Sequence, residues 1–171
     1  LLLPENPLTT TLYKALDEID PNWRTYNGLI IPGSWPGQND EQFIQEAIPK
    51  IKDAKEKGIP YLGLCLGLQA LAVAEGGTLV KMDNQRQGIY PVKGWWGETQ
   101  ESHWHRFKAV IGDSHDYDTS YSDGILEIMR LKEHPFFVGL QFHPEFQSRF
   151  LKPHPLFLAF VRAAIKKDHR S

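Results

Sequence analysis

Short apolar runs alternate with amphipathic stretches along the first part of the chain. Continuous apolar runs are typical of strands buried on both faces, and they predict strands at residues 1–4, 29–31 and 60–64. Apolar residues spaced three to four apart predict helices over residues 12–19, from Asp40 to Gly58, and from Cys65 to Gly76. This alternation predicts an α/β fold of three layers, with a central, mostly parallel sheet and helices on both faces.

The remaining pattern is less regular. We expect Asp40 to cap the second helix, and Pro49 to kink that helix or split it. Pro155 suits the first turn of a C-terminal helix. Further strands are predicted at residues 78–80, 107–111, 125–131 and 136–142, and a polar, turn-like segment at residues 83–88. The tryptophans of the middle section favour core or lid positions over pocket walls: Trp95, Trp96 and Trp104.

Composition narrows the class of protein. The 171 residues fit one domain, spanning residues 1–171, with 41% hydrophobic and 23% charged residues. A net charge of −2 gives no field that would favour a nucleic acid or an anionic membrane as the main partner. A single cysteine cannot form an internal disulfide, which favours a reducing compartment such as the cytoplasm. No apolar run approaches the roughly 20 residues of a membrane span, and residues 1–4 lack the features of a signal peptide.

That cysteine lies where an apolar run meets a helical pattern. Gly63 and Gly67 flank Cys65 at two residues on either side, which is the G-x-C-x-G form of a nucleophile elbow. A side chain at either glycine would crowd so tight a turn, and the start of a helix favours the thiolate. The alternative is that Cys65 is a small buried apolar residue, as lone cysteines often are.

A second candidate group follows the last apolar strand. His143 and Glu145 are two residues apart, so in extended backbone both side chains point to the same side. A histidine beside a carboxylate has the arrangement of a base and the group that orients it. At the carboxyl ends of parallel strands, His143 and Cys65 would share one edge of the sheet. The alternative is that Glu145 makes only a surface pair.

Three other histidines raise the question of a metal site: His103, His105 and His115. The first two alternate as ligands on a strand could. The chain has no Cys/His cluster with zinc-like spacing, so we expect no metal.

Two segments resemble a known family. Gly63-Leu-Cys-Leu-Gly-Leu-Gln69 and Phe142-His-Pro-Glu-Phe146 are similar to the class I (triad) glutamine amidotransferases. Within that family the chain resembles the glutaminase domain of CTP synthase, through residues 134–146, 148–149, 152–153, 155–157, and 101–107. The resemblance implies a flavodoxin-like fold, no cofactor, and L-glutamine or a γ-glutamyl analogue as substrate.

The resemblance also implies roles for individual residues. Cys65 would attack the glutamine side-chain amide, with His143 as base and Glu145 orienting it, and a γ-glutamyl thioester would be hydrolysed to glutamate. The family's oxyanion hole implies backbone N–H donors at Ser34 and Leu66. The positions that match substrate-binding residues are Gly33, Ser34, Trp35, Leu66, Gln69 and Arg106.

The sequence departs from the family at the substrate end of the site. Ser34 and Trp35 replace a glycine and a phenylalanine, and the glutamate that receives the substrate α-ammonium has no clear counterpart. Arg86 and Gln87 lie near its expected position, where an arginine would repel an ammonium group. The synthase half of CTP synthase is not in this sequence, so CTP formation cannot be the work of this chain alone. The chain would be an excised domain, a separate subunit or a divergent stand-alone hydrolase.

Three functions therefore stay open. The first is release of ammonia from glutamine for a CTP synthase-type partner, and the second is a γ-glutamyl hydrolase or peptidase with the same elbow. The third is a catalytically silent binding or regulatory protein that keeps the fold.

Overall fold

A computed structural model describes residues 27–34, 38–113 and 115–168 of the chain. The elements predicted at residues 1–4 and 12–19 lie outside these ranges, as does Trp35. The described elements are, in chain order, β1 (Leu29–Ile31), α1 (Asp40–Glu56), β2 (Tyr61–Leu64), α2 (Leu66–Ala74), β3 (Thr78–Gly94), β4 (Gly97–Val110), β5 (Tyr117–Ser122), β6 (Ile125–Leu131), β7 (Phe137–Leu140), a 3₁₀ turn (Pro144–Gln147) and α3 (Pro155–Asp168).

A mixed, mostly parallel sheet forms the centre of the fold, as predicted. Its strand order is β1-β2-β7-β6-β5. β2 pairs in parallel with β1 on one side and with β7 on the other, whereas β6 runs antiparallel to both of its neighbours. Four of the five described strands of this sheet therefore point the same way. The carboxyl ends of β1, β2 and β7 meet at one edge, which is where sites form in such sheets.

Apolar side chains cover both faces of this sheet. One cluster joins α1 and α2 to the face that carries Tyr61, and the other joins α3 to the face that carries Leu62. All residues of β2 and β7 are buried, which explains why these strands are continuous apolar runs. The predicted arrangement of helices on both faces is confirmed. Within the described residues, no helix has both the length and the apolar character that crossing a membrane requires.

A long antiparallel hairpin is the main departure from the prediction. β3 and β4 pair along almost their whole length, with one irregularity between Lys81 and Arg86. The sequence predicted only residues 78–80 and 107–111 of this hairpin, and its assignment of residues 83–88 to a turn was wrong. Most positions of β3 are exposed or half-buried, so its polar residues resemble a loop although the backbone pairs with β4 on both sides of the irregularity. β5 was missed for the same reason, since it is a polar edge strand.

The three tryptophans in and next to the hairpin do not share one environment. Trp96 packs beside Phe142, with ring centroids 6.1 Å apart, so its predicted core position is confirmed. Trp95 is 48% exposed and Trp104 is 62% exposed, so a core position was wrong for both. Trp104 also lines a cavity, which is the position that the sequence disfavoured.

Helix α1 bears on two details of the prediction. Asn39 caps it by accepting a hydrogen bond from the Gln42 backbone N–H at 3.1 Å, so the cap predicted at Asp40 is one residue too late. The helix also continues through Pro49 without splitting. Pro49 and Gln45 are exposed, so water can solvate the carbonyl that proline leaves without a donor.

Candidate active site

β2 turns into α2 at Cys65, as the elbow motif predicts. Cys65 has φ 50° and ψ −97°, a backbone conformation that is strained for a residue with a side chain. A β-carbon at Gly63 would lie 2.7 Å from the Gly67 carbonyl carbon, and one at Gly67 would overlap the Ile31 carbonyl oxygen. Only glycine therefore fits on either side of the thiol, and the turn holds Cys65 at the carboxyl end of β2.

His143 lies at the same edge of the sheet, just after β7. Its backbone N–H donates to the Ser102 carbonyl at 2.9 Å, which ties the histidine to β4. Its Nδ1 lies 2.6 Å from Glu145 Oε1, so the predicted contact is confirmed. The predicted extended backbone was wrong, because Pro144 begins a 3₁₀ turn. The turn brings Glu145 back to Nδ1, so the other ring nitrogen, Nε2, is not used by this contact.

The electrostatics of His143 join it to both neighbours. Burial lowers the pKa of His143, but hydrogen bonds with the Cys65 and Glu145 side chains, and the negative charges of these groups, raise it to about 10. The imidazole is therefore protonated at neutral pH, between the sulfur of Cys65 on one side and the carboxyl group of Glu145 on the other. The structure thus brings the three predicted residues together at one edge of the sheet.

Gln141 completes the surroundings of the sulfur. It is fully buried, and its Nε2 donates to Cys65 Sγ at 3.6 Å while its Oε1 accepts from Gln69 Nε2 at 3.3 Å. The Trp104 carbonyl oxygen lies 3.9 Å from the same sulfur. Sequence reasoning missed Gln141, although its place two residues before His143 was a usable signal.

A cavity of about 300 Å³ opens beside the thiol. Its described walls come from three parts of the chain: Ser34, Asp40, Cys65, Leu66, Gln69, Gln85, Trp104, His105, Arg106 and Phe107. Four of the predicted substrate-binding residues are in this set. Gly33 is not among the described wall residues, but it lies beside the catalytic candidates: an added β-carbon would be 2.9 Å from His143 Cε1 and 3.5 Å from Cys65 Cβ. Arg86 and Gln87, named from the sequence as neighbours of the substrate ammonium, are not among the described wall residues.

Polar side chains form a buried layer next to this cavity. Glu127 Oε2 lies 3.8 Å from His103 Nδ1, and Arg86 lies 3.7 Å from the other carboxylate oxygen. Burial raises the pKa of Glu127 to about 7, although Arg86 opposes that shift. His103 Nδ1 is also 3.5 Å from His105 Nε2. Among the described residues, no group of three His, Cys, Asp or Glu side chains is placed to hold a metal ion.

Both histidines of this layer are neutral at physiological pH. Burial lowers the pKa of His103 to about 3, with Arg86 acting in the same direction. Burial likewise lowers the pKa of His105 to about 4, against a hydrogen bond to the Phe107 carbonyl. The cavity wall at His105 is therefore uncharged.

Comparisons with known sequences agree with this geometry. The family model for glutamine amidotransferase class-I matches residues 6–163. The chain is 31% identical to a CTP synthase from Chlamydia abortus, over 88% of this chain and 37% of that protein. It is 33% identical to a CTP synthase from Thermomicrobium roseum, over 86% of this chain and 34% of that protein. The chain thus spans about a third of the length of the curated relatives it matches.

Solved structures share the fold. A putative GMP synthase component from Thermoplasma acidophilum superposes with a TM-score of 0.71 at 19% identity, covering 99% of this chain and 94% of that one. The glutaminase domain of Trypanosoma brucei CTPS, with bound acivicin, gives a TM-score of 0.63 at 21% identity, covering 96% of this chain and 78% of that one. At such identities these structures support the fold alone. Together with the family match over most of its length, they complete the assignment: this chain belongs to the class I glutamine amidotransferases.

Proposed function

We propose that the chain hydrolyses the side-chain amide of L-glutamine to glutamate and ammonia. The observation that supports this most directly is the 2.6 Å contact between His143 Nδ1 and Glu145, next to the thiol of a strained elbow. An activated thiol beside an oriented imidazole is suited to acyl transfer. We treat residues 1–171 as a single domain that carries this reaction.

The first half of the reaction forms a thioester. The Cys65 thiolate attacks the γ-carbonyl carbon of glutamine, and the electron pair of the C=O bond moves onto oxygen. When the carbonyl re-forms, the C–N bond breaks and the His143 imidazolium gives its proton to the leaving nitrogen, which departs as ammonia. Glu145 keeps the imidazole ring oriented throughout, because its Oε1 accepts from Nδ1.

The second half releases glutamate. Neutral His143 takes a proton from water, whose oxygen attacks the thioester carbonyl, and the C–S bond then breaks to restore the thiolate. The oxyanion formed in both halves would be held by the backbone N–H groups of Leu66 and Ser34. Leu66 is the first residue of α2, where N–H groups have no carbonyl partner inside the helix. Such a donor is worth about 3 to 4 kcal/mol in related acyl transfers.

The cavity would hold the rest of the substrate. Arg106 supplies a guanidinium to the wall and is fixed by a hydrogen bond from its Nε to Gln85 at 3.2 Å. Gln69 is buried, and its side chain donates to the Phe107 carbonyl at 3.0 Å. We therefore propose that Gln69 holds the cavity wall in shape. Gly33 leaves room beside His143, and Trp35 stays a prediction.

We further propose that the released ammonia serves an amination carried out by a synthase domain or subunit in the cytoplasm. The support is that the CTP synthases matched by this chain are much longer than the matched region.

The direct test is release of ammonia from L-glutamine by the purified chain, measured beside γ-glutamyl peptides. Ammonia release that is faster than peptide cleavage supports a glutaminase. Cleavage of γ-glutamyl peptides with no activity on glutamine would identify a peptidase instead, and inactivity on both would identify a silent homologue.

We expect Glu145→Gln to reduce kcat by about 10- to 100-fold, less than loss of the thiol or the imidazole, because the nucleophile and the base remain. The hydrogen bond and the charge of Glu145 both raise the pKa of His143. Their loss therefore lowers that pKa, and the alkaline limb of the pH–kcat/KM profile, which reports the free enzyme, should move down from about 10. An unchanged alkaline limb would contradict the role of Glu145. Glu133→Gln, at a carboxylate outside the cavity wall, serves as the control.

A further inference from the structure

The cavity beside Cys65 carries two opposite charges. Among its described wall residues, Asp40 is the one carboxylate and Arg106 is the one guanidinium. Asp40 is the first residue of α1 and Arg106 belongs to β4, so elements distant in sequence contribute the two charges. A wall with one acidic and one basic group matches a zwitterion.

We propose that Asp40 binds the α-ammonium group of the substrate, whose α-carboxylate would be bound by Arg106, a substrate-binding residue already predicted from the sequence. This inference rests on the proposed function, since it concerns the same site and names what recognises the amino-acid end of glutamine. It assigns a role to a residue for which the sequence predicted only a helix cap.

The hydrogen bonds of Asp40 leave it able to accept an ammonium. Its Oδ1 accepts from the Ser34 hydroxyl at 2.5 Å, whereas the helix is capped by Asn39. An ionised carboxylate has about four acceptor positions, so one hydrogen bond does not exhaust it. The bond to Ser34 fixes the carboxylate against the loop that precedes α1. Asp40 is thus held at the cavity wall by a contact that keeps most of its acceptor capacity.

The surrounding charges favour an ammonium at this wall. Arg86, which the sequence placed near the ammonium, donates to Asp123 at 3.0 Å and lies 3.7 Å from Glu127. Its charge is therefore directed to these carboxylates. His105 is neutral because burial lowers its pKa, so it adds no repulsion. The attraction of Asp40 for a cation is opposed within the described wall only by Arg106, which the α-carboxylate would neutralise.

The test compares two amides that differ only at the proposed contact. Glutaramate is glutamine with hydrogen in place of the α-ammonium, so it keeps the carboxylate and the scissile amide. We expect Asp40→Asn to lower kcat/KM for L-glutamine by about 10- to 100-fold, mainly through KM, because a charge-assisted contact is lost. The kcat/KM for glutaramate should change by less than about threefold.

Two further variants separate binding from folding. Glu41→Gln removes the neighbouring first-turn carboxylate, which has the same favourable position on the helix dipole but is outside the described cavity wall. It should leave both amides unaffected. Asp40→Glu keeps the charge and should restore part of the preference for L-glutamine, even where Asp40→Asn folds poorly.

The outcomes distinguish the inference from the proposed function. Equal loss on both amides in Asp40→Asn, or no loss on either, overturns the inference while wild-type glutaminase activity still stands. A wild-type chain that hydrolyses neither amide overturns the proposed function and the inference together.

Discussion

Replacing Cys65 with alanine is expected to reduce ammonia release from L-glutamine by about 10⁴-fold or more. The thiolate is the nucleophile of the proposed mechanism, and its removal leaves only the binding site and the oxyanion hole. The chain has no second cysteine that could replace it. Ammonia release should be measured in wild type and Cys65→Ala under the same conditions, at saturating glutamine.

The fold should survive this change. The Cys65 side chain makes no cap hydrogen bond to α2, and the contacts of its sulfur to Gln141 and to the Trp104 carbonyl are long, at 3.6 and 3.9 Å. We expect the midpoint of thermal unfolding to shift by a few degrees at most. Cys65→Ser tests whether a weaker nucleophile of similar size retains any turnover. Undiminished ammonia release in Cys65→Ala would end the assignment of this residue.

His143→Ala is expected to cost almost as much, about 10³- to 10⁴-fold in kcat. The imidazole is the acid that protonates the leaving nitrogen and the base that activates water, and its charge stabilises the thiolate. Labelling with iodoacetamide gives a second measurement, because a thiol without its imidazolium partner should react more slowly at neutral pH.

His115→Ala provides a matched histidine control. The His115 side chain is exposed, and its hydrogen bond to Lys132 uses the backbone carbonyl, so the variant should keep its full rate. Comparable loss of activity in the two histidine variants would indicate general damage to the fold. Normal turnover in His143→Ala would exclude this imidazole as the acid and base.

The elbow could be predicted from the sequence because its determinants are local. An apolar strand and a helical pattern meet at a cysteine flanked by two glycines, all between residues 59 and 76. The structure confirms that a side chain at Gly63 or Gly67 would clash with neighbouring backbone. The contact between His143 and Glu145 was also predicted, although a 3₁₀ turn produces it.

The rest of the site depends on contacts between distant segments. The β3–β4 hairpin supplies Trp104, His105 and Arg106 to the cavity, but its polar, two-stranded pairing has no apolar pattern that a sequence could reveal. Nothing in the sequence indicated that Asp40 reaches the cavity. The position of Asp40 depends on how the chain between β1 and α1 is routed, and the propensities of single residues do not determine that route.

The most direct test of the account is to capture the covalent intermediate. Wild-type protein is mixed with isotopically labelled L-glutamine, quenched in acid within the first turnovers, digested and examined by peptide mass spectrometry. We predict that a labelled γ-glutamyl group is attached to the peptide that contains Cys65, and that hydroxylamine removes it, as expected of a thioester. Sustained release of ammonia with no label on that peptide, or with label on another residue, would contradict the account.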